Sequence, residues 1–306
     1  MAPAKKKTLG KYELIELLSE DIGGRLYRAR PAEEGDDETV IMKVVSSSVA
    51  DNPVFGRYFY HRWADKRTMF EHPNVVSALE VGKDDGTYYV VLPELDGRPL
   101  SEAMEDAPMP AKESAEVIRQ TAEALRAAHR ADMLHGHLKP SDIYLCRDKL
   151  DRPLMKVMFF DLGVAASESM VSIFGEMVGA PKYLAPEVIR GEGLTVRSDL
   201  FSLGIIAYEL VTGEEPFPSN HVLGYLFNNA ESNLTPPHEL NPDVPEELGK
   251  VICRMLEKSP ADRYRTAQGI IDDLDRVEQS MNTGRMSSVP MGGDSAFSRD
   301  YDLPEM

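Results

Sequence analysis

The stretch His135-Gly136-His137-Leu138-Lys139-Pro140-Ser141-Asp142 places two imidazoles, an ammonium and a carboxylate within one short segment. An imidazole at His137 can accept a proton from a hydroxyl. Asp142 offers a hard oxygen ligand for Mg²⁺. Asp161, which follows the apolar run 157–160, offers a second, so the two could hold one divalent ion. Lys43 stands inside a strand-like run, 40–45, and an ammonium facing a cleft from mid-strand needs a partner. An imidazole, two acids and a lysine are parts for proton transfer and for charge neutralisation at a metal.

These groups need a fold of sufficient size to hold them. The chain has 306 residues, 42% of them hydrophobic, enough for one large domain or two lobes with real cores. Its net charge is −17, from 34 basic and 51 acidic residues, which argues against a general nucleic-acid binder or a protein held flat on anionic lipid. Lys5-Lys6-Lys7 reads as part of a solvated leader rather than a membrane or phosphate anchor. Cys146 and Cys253 have no metal-ligand spacing and read as small core residues in a reducing compartment. No signal peptide is visible. The longest apolar run, 200–211, is shorter than the ~20 residues a membrane helix needs. A cytoplasmic chain with no membrane segment of its own is expected.

Residues 1–10 read as a flexible leader. Strand formers at 12–17 and 25–30 flank Gly23-Gly24, a hairpin signal. The acidic run 33–38 is a solvated turn, and 40–45 is a third strand. A charged, aromatic segment at 54–70 predicts a helix ending at His72-Pro73-Asn74, because the residue before proline leaves helical space. Strands follow at 75–80 and 88–92, with Lys83-Asp84-Asp85-Gly86 as turn chemistry. From 110 to 131 the apolar positions Ile118, Ala122, Leu125 and Ala128 recur at helical spacing. Residues 143–160 are strand-like. An apolar helix at 199–211 is closed by Gly213, and helices are predicted at 245–256 and 266–279. Residues 281–306 are rich in Ser, Gly, Met and Pro without period and read as a disordered tail. The class is α+β and bilobal: a β-rich lobe with one helix at 11–95, a larger helical lobe at 96–280, and a crossing near 93–97.

This order resembles the eukaryotic-like (Hanks-type) serine/threonine protein kinases of bacteria, over about residues 11–280. Val40-Ile41-Met42-Lys43 matches the V-A-I-K strand, and Leu138-Lys139-Pro140 follows the catalytic-loop position. Asp161-Leu162-Gly163 stands for D-F-G, and Ala185-Pro186-Glu187 is a full A-P-E. Asp199 and Gly204 match the D-x-W-S-x-G helix, and Arg263 the late arginine that pairs with the A-P-E glutamate.

The resemblance assigns roles and exposes departures. In H-R-D-x-x-x-x-N, Gly136 replaces the arginine, His137 the catalytic aspartate and Asp142 the metal-binding asparagine. Of the three glycines of the phosphate loop only Gly24 remains, with Ser19 and Asp21 at the other two positions. Lys43 is the phosphate lysine, but its helix glutamate falls at or near Trp63, with Asp65 the nearest acid. Lys43 would then pair with Asp161. Lys139 keeps the γ-phosphate position, and Leu92, Pro93 and Glu94 form the hinge where adenine would bond to backbone. Gly136 cannot clamp a phosphorylated loop, and 161–187 carries Ser167, Ser169 and Ser172 but no threonine. Pro181-Lys182-Tyr183 keeps a peptide-docking position.

The resemblance therefore implies a pseudokinase, a regulatory or scaffolding module that binds a protein partner, such as another kinase or a cell-envelope protein, with weak or no ATP and Mg binding. The alternative is an atypical serine/threonine kinase with His137 as base, using ATP and a divalent metal. The tail resembles a juxtamembrane linker, which implies a tether beyond residue 306.

Overall fold

The computed structural model describes residues 7–21, 24–33, 38–46, 50, 71–105, 108–158 and 181–283. The expected helix at 54–70 with Trp63 and Asp65 lies outside these residues. So do Asp161, Leu162, the three serines of the following segment, and the tail beyond 283.

Among the described residues, six antiparallel strands form the small-lobe sheet: β1 (Thr8–Leu9), β2 (Tyr12–Asp21), β3 (Gly24–Pro31), β4 (Val40–Val45), β5 (Glu80–Asp84) and β6 (Thr87–Pro93), in the order β1-β2-β3-β4-β6-β5. β4 shows the period of two that organises the sheet. Val40 and Met42 point to one apolar layer, with Tyr12, Ala29, Tyr89 and Val91. Ile41 and Val45 point to the other, with Leu26, Val76, Leu92 and Met158. Lys43 shares this second face by alternation. β2 and β3 pair as far as Asp21↔Gly24, leaving only residues 22 and 23 between them. Gly24 has φ +135°, and a Cβ there would sit 2.0 Å from the Val44 carbonyl oxygen, so the hairpin itself demands glycine.

The large lobe is built on α1 (Ala111–Arg130), α2 (Val196–Thr212), α3 (Val222–Glu231), α4 (Glu246–Met255) and α5 (Ala267–Thr283), with a small sheet of β7 (Gly97–Pro99), β8 (Ile143–Arg147) and β9 (Pro153–Val157). Ile118, Ala122, Leu125 and Ala128 form the buried stripe of α1, as their spacing predicts. α2 is buried on nearly every side, including Leu200, Phe201, Ile205, Leu210 and Val211, and so is the axis of the lobe. Each such side chain contributes roughly 1.5–3 kcal/mol by leaving water. Gly213 ends this helix in the left-handed conformation.

Three expectations need correction. Residues 75–80 are not a strand. Val75 makes one isolated parallel bridge to Val157, the Leu79 N–H donates singly to the Val91 carbonyl, and the ladder begins only at Glu80. The apolar run is there to be buried, and its backbone finds partners one at a time. The leader contains β1, whose Leu9 pairs with Tyr12. The last helix runs on to Thr283.

Two polar assemblies fix the packing. Asn74, 3% exposed, donates from its side-chain nitrogen to Gln120 Oε1 at 2.7 Å and to the Met155 carbonyl at 2.8 Å, tying the small lobe to α1 and β9. Glu187 and Arg263, also buried, form a two-pronged ion pair with both contacts at 2.8 Å. The Ser198 hydroxyl donates to Glu187 Oε1 at 2.8 Å.

Candidate functional site

The loop 135–142 sits on α2. Asp199, 1% exposed, accepts from the His135 N–H and the Gly136 N–H, each at 2.8 Å, and contacts His129 Nε2 at 2.8 Å. Gly136 has φ +80°, a left-handed conformation that lets both consecutive amides face one carboxylate. The glycine that removes an arginine thus suits the turn it occupies.

His135 is buried. Its Nε2 donates to the Met158 carbonyl at 2.9 Å, which leaves Nδ1 to accept the His137 N–H at 3.4 Å. Burial pushes its pKa down to about 4, against the opposing pull of Asp199, so the ring is neutral. A histidine that titrates at 6.5 when unfolded and about 4 when folded contributes stability above pH 6.5 that is lost as pH falls towards 4. Urea denaturation of the unaltered chain should lose about 3 kcal/mol over that window relative to His135→Gln, which cannot titrate there. Parallel curves for the two proteins would remove His135 as the cause.

His137 is half-buried on the same loop, two residues beyond. Asp142, 3% exposed, is placed by a single turn of tight helix after Pro140. Its Oδ2 accepts the Lys139 N–H at 3.2 Å and lies 4.0 Å from His135 Nε2. Its carbonyl accepts the Met158 N–H at 2.9 Å. The structure therefore brings His137, Lys139 and Asp142 together on one clamped loop. Among the described residues no group of three or more His, Cys, Asp or Glu side chains gathers as a metal centre. Asp142 supplies one carboxylate, which fits the usual habit of Mg²⁺ to take one or two from protein and the rest from phosphate.

Across the cleft, Lys43 Nζ donates to the Gly24 carbonyl at 3.4 Å. The Leu92 side chain is fully buried in the small-lobe core. Glu94 turns its carboxylate to Arg28 Nε at 2.8 Å and to the Thr39 hydroxyl. Burial raises its pKa, but these two donors outweigh burial and hold it below the usual range. Leu92 and Glu94 therefore have only backbone to offer a ligand. On the other side of the loop, Lys139 and Ser141 line a groove of about 430 Å³, with Tyr183 and Glu209 on its far wall. Lys182 Nζ contacts Glu209 at 2.6 Å and Glu215 at 2.9 Å.

Two lobes, a strand lysine over a cleft, and a loop held by the first turn of a buried helix are matched by known sequences. The pattern described as Protein kinase domain covers residues 23–273. The chain belongs to the protein kinase domain family. It is 33% identical over 256 residues to serine/threonine-protein kinase Pkn1 of Myxococcus xanthus, covering 83% of this chain and 36% of that protein. It is 30% identical over 313 residues to serine/threonine-protein kinase PknB of Mycolicibacterium smegmatis, covering 96% of this chain and 49% of the relative. The chain thus spans about a third to a half of the length of these relatives. The crystal structure of the Mycobacterium tuberculosis PknI kinase domain superposes with a TM-score of 0.69 at 22% identity, covering 91% of this chain and all of that one. That likeness concerns the fold, which is the bilobal kinase fold.

Reading the residues missed three contributors. His129 and Asn74 act through partners distant in sequence. Gln120 carries no signal of its own in the sequence, yet its Oε1 also accepts the Met155 N–H at 2.9 Å.

Proposed function

We propose that this kinase domain is catalytically impaired and acts as a regulatory or scaffolding module that binds a protein partner, with weak or no ATP binding. One observation carries the reading: the loop that should present a catalytic carboxylate is clamped by Asp199, yet it presents an imidazole at His137. Loss of a positioned general base costs roughly 10²–10⁴ in rate. The rest of the centre agrees. Ile41 stands where V-A-I-K has alanine, and it is buried with Leu26 and Leu92 in a cluster against which Tyr144 and Leu95 pack. A β-branched side chain there adds bulk on the face of β4 that Lys43 shares. Asp142 and Asp161 remain able to hold Mg²⁺ if phosphate arrives to share it.

A thermal shift with ATP and Mg²⁺ tests this. A ligand at about 100 times its Kd stabilises by about 2.7 kcal/mol, so millimolar ATP should leave the transition almost unmoved. A large shift together with label transfer to protein, abolished in His137→Ala, would overturn the reading. The relatives named above are serine/threonine-protein kinases, which favours an active kinase; in this chain that alternative would use ATP, a divalent metal and His137 as base.

A further inference from the structure

We propose that a groove behind α1 is the docking site of this chain's own residues 286–291, which fold back there against the joint between the lobes. The groove, about 540 Å³, runs between α1, the β8–β9 turn and the last turns of α5. It shares no lining residue with the groove beside Lys139. A hollow of this size takes a small ligand or a stretch of peptide.

Its polar walls are largely paired with one another. Arg119 Nη1 contacts Asp275 at 2.8 Å, and Nη2 contacts Glu278. Gln120 Nε2 donates to Glu116 at 2.7 Å and to the Pro153 carbonyl at 3.0 Å. Arg152 contacts Asp148 at 2.6 Å. A charged ligand would have to break such pairs and strand their members. What the groove has to offer is its apolar part, Ala115, Pro153, Leu154 and Met281.

The chain supplies the occupant. Met281 belongs both to α5 and to the groove wall, and it packs against the core. α5 ends at Thr283, so the chain leaves the helix at the groove's edge. The next apolar residues are Met286, Val289 and Met291, set among Ser287, Ser288 and Pro290. Fully extended, the chain spans about 18 Å from Met281 to Met286 and about 36 Å to Met291, enough to enter the groove. Methionine's unbranched thioether fills irregular apolar gaps. A tether this short gives the segment an effective concentration near the millimolar range, which a separate partner must exceed to compete.

Asn74 and Gln120, which join the lobes, stand on the same groove wall. The Val157 N–H donates to the Asn74 carbonyl at 2.8 Å. A docked segment therefore braces the joint from outside, and its release loosens the joint.

Trypsin digestion of the full chain tests the site, because Arg285 borders the docking residues and Arg299 lies beyond them. Rates are compared with those of a free peptide of residues 280–306. Cleavage after Arg285 should be slowed at least about tenfold and cleavage after Arg299 far less, since proteolysis follows the open fraction. Met286→Ser/Met291→Ser, compared with its own peptide, should remove the protection, and so should Leu154→Asp in the groove wall. The tail variant alters no residue of the folded lobes, so it decides the matter even where Leu154→Asp unsettles β9. No slowing after Arg285, or slowing that survives the tail variant, overturns the site. Protection that rises with protein concentration, together with a dimer in sedimentation, would give the groove to a second copy's segment and overturn the choice of occupant. Hydrogen exchange at the Val157 amide should quicken severalfold in the tail variant; unchanged exchange overturns the bracing. None of these readouts involves ATP, so they stand or fall separately from the impaired-kinase reading.

Discussion

Arg263→Ala should unfold at a free energy about 3–5 kcal/mol below that of the unaltered chain, because breaking a buried pair strands the remaining charge. Arg263 spends all its donors. Nη1 and Nη2 each meet one Glu187 oxygen, Nε donates to the Glu257 carbonyl at 2.7 Å, and the two remaining hydrogens reach the carbonyls of Arg197 and Lys258 at 3.0 and 3.1 Å. Its guanidinium also lies 4.7 Å from the centre of the Phe201 ring. Arg263→Lys should rescue little, since a three-donor point charge cannot copy a planar fork. Burial raises the Glu187 pKa, but the Arg263 hydrogen bonds and charge outweigh it and the net shift is downward. A depressed carboxylate pKa gives stability that is present above the unfolded value and lost as pH falls through the folded one. The gap between the unaltered chain and Arg263→Ala should therefore narrow as pH drops below about 4. Urea denaturation followed by circular dichroism reads all of this. A deficit below about 1 kcal/mol would place the pair among replaceable contacts.

Asp199→Ala should cost a comparable amount, about 3 kcal/mol or more, because two amides and an imidazole lose their acceptor at once and each stranded buried group costs about 1–3 kcal/mol. Asp199→Asn separates charge from shape. Its side chain fits the space, but its amino group would face an N–H, so it should fall close to the alanine variant. Hydrogen exchange at His135 and Gly136 gives the local readout: both amides should lose protection before the rest of α2 does. Equal protection in the variant would show that the loop is held by something other than the α2 carboxylate.

Much of the frame was legible in the residues because it follows local periods. The α1 stripe needs only spacing, and Gly213 closes α2 by its own conformational freedom. The Glu187–Arg263 pair was legible only through resemblance, since no local rule joins residues 76 apart. The site divides similarly. The departures at Gly136, His137 and Asp142 stand in plain view as residue types. That Asp142 caps its own turn through the Lys139 N–H, and that Glu94 is occupied by Arg28 and Thr39, depends on backbone geometry that composition does not carry. α3 carries no clean apolar stripe in the sequence, because Leu226 packs against the core while Val222, Leu223 and Phe227 stay exposed.

The Asn74 contacts have a mechanical meaning. Two of the joints between the small lobe and the large one, among the described residues, are the chain crossing between β6 and β7 and the knot where Asn74 grips Gln120 and Met155 beside the Val75–Val157 bridge. Two pins define an axle. Sliding of one lobe over the other would break both, whereas rocking about the line between them breaks neither. The cleft containing Lys43 and the clamped loop should open and shut like a jaw on that axle. A partner that seizes either lobe could then set the gape without touching the loop.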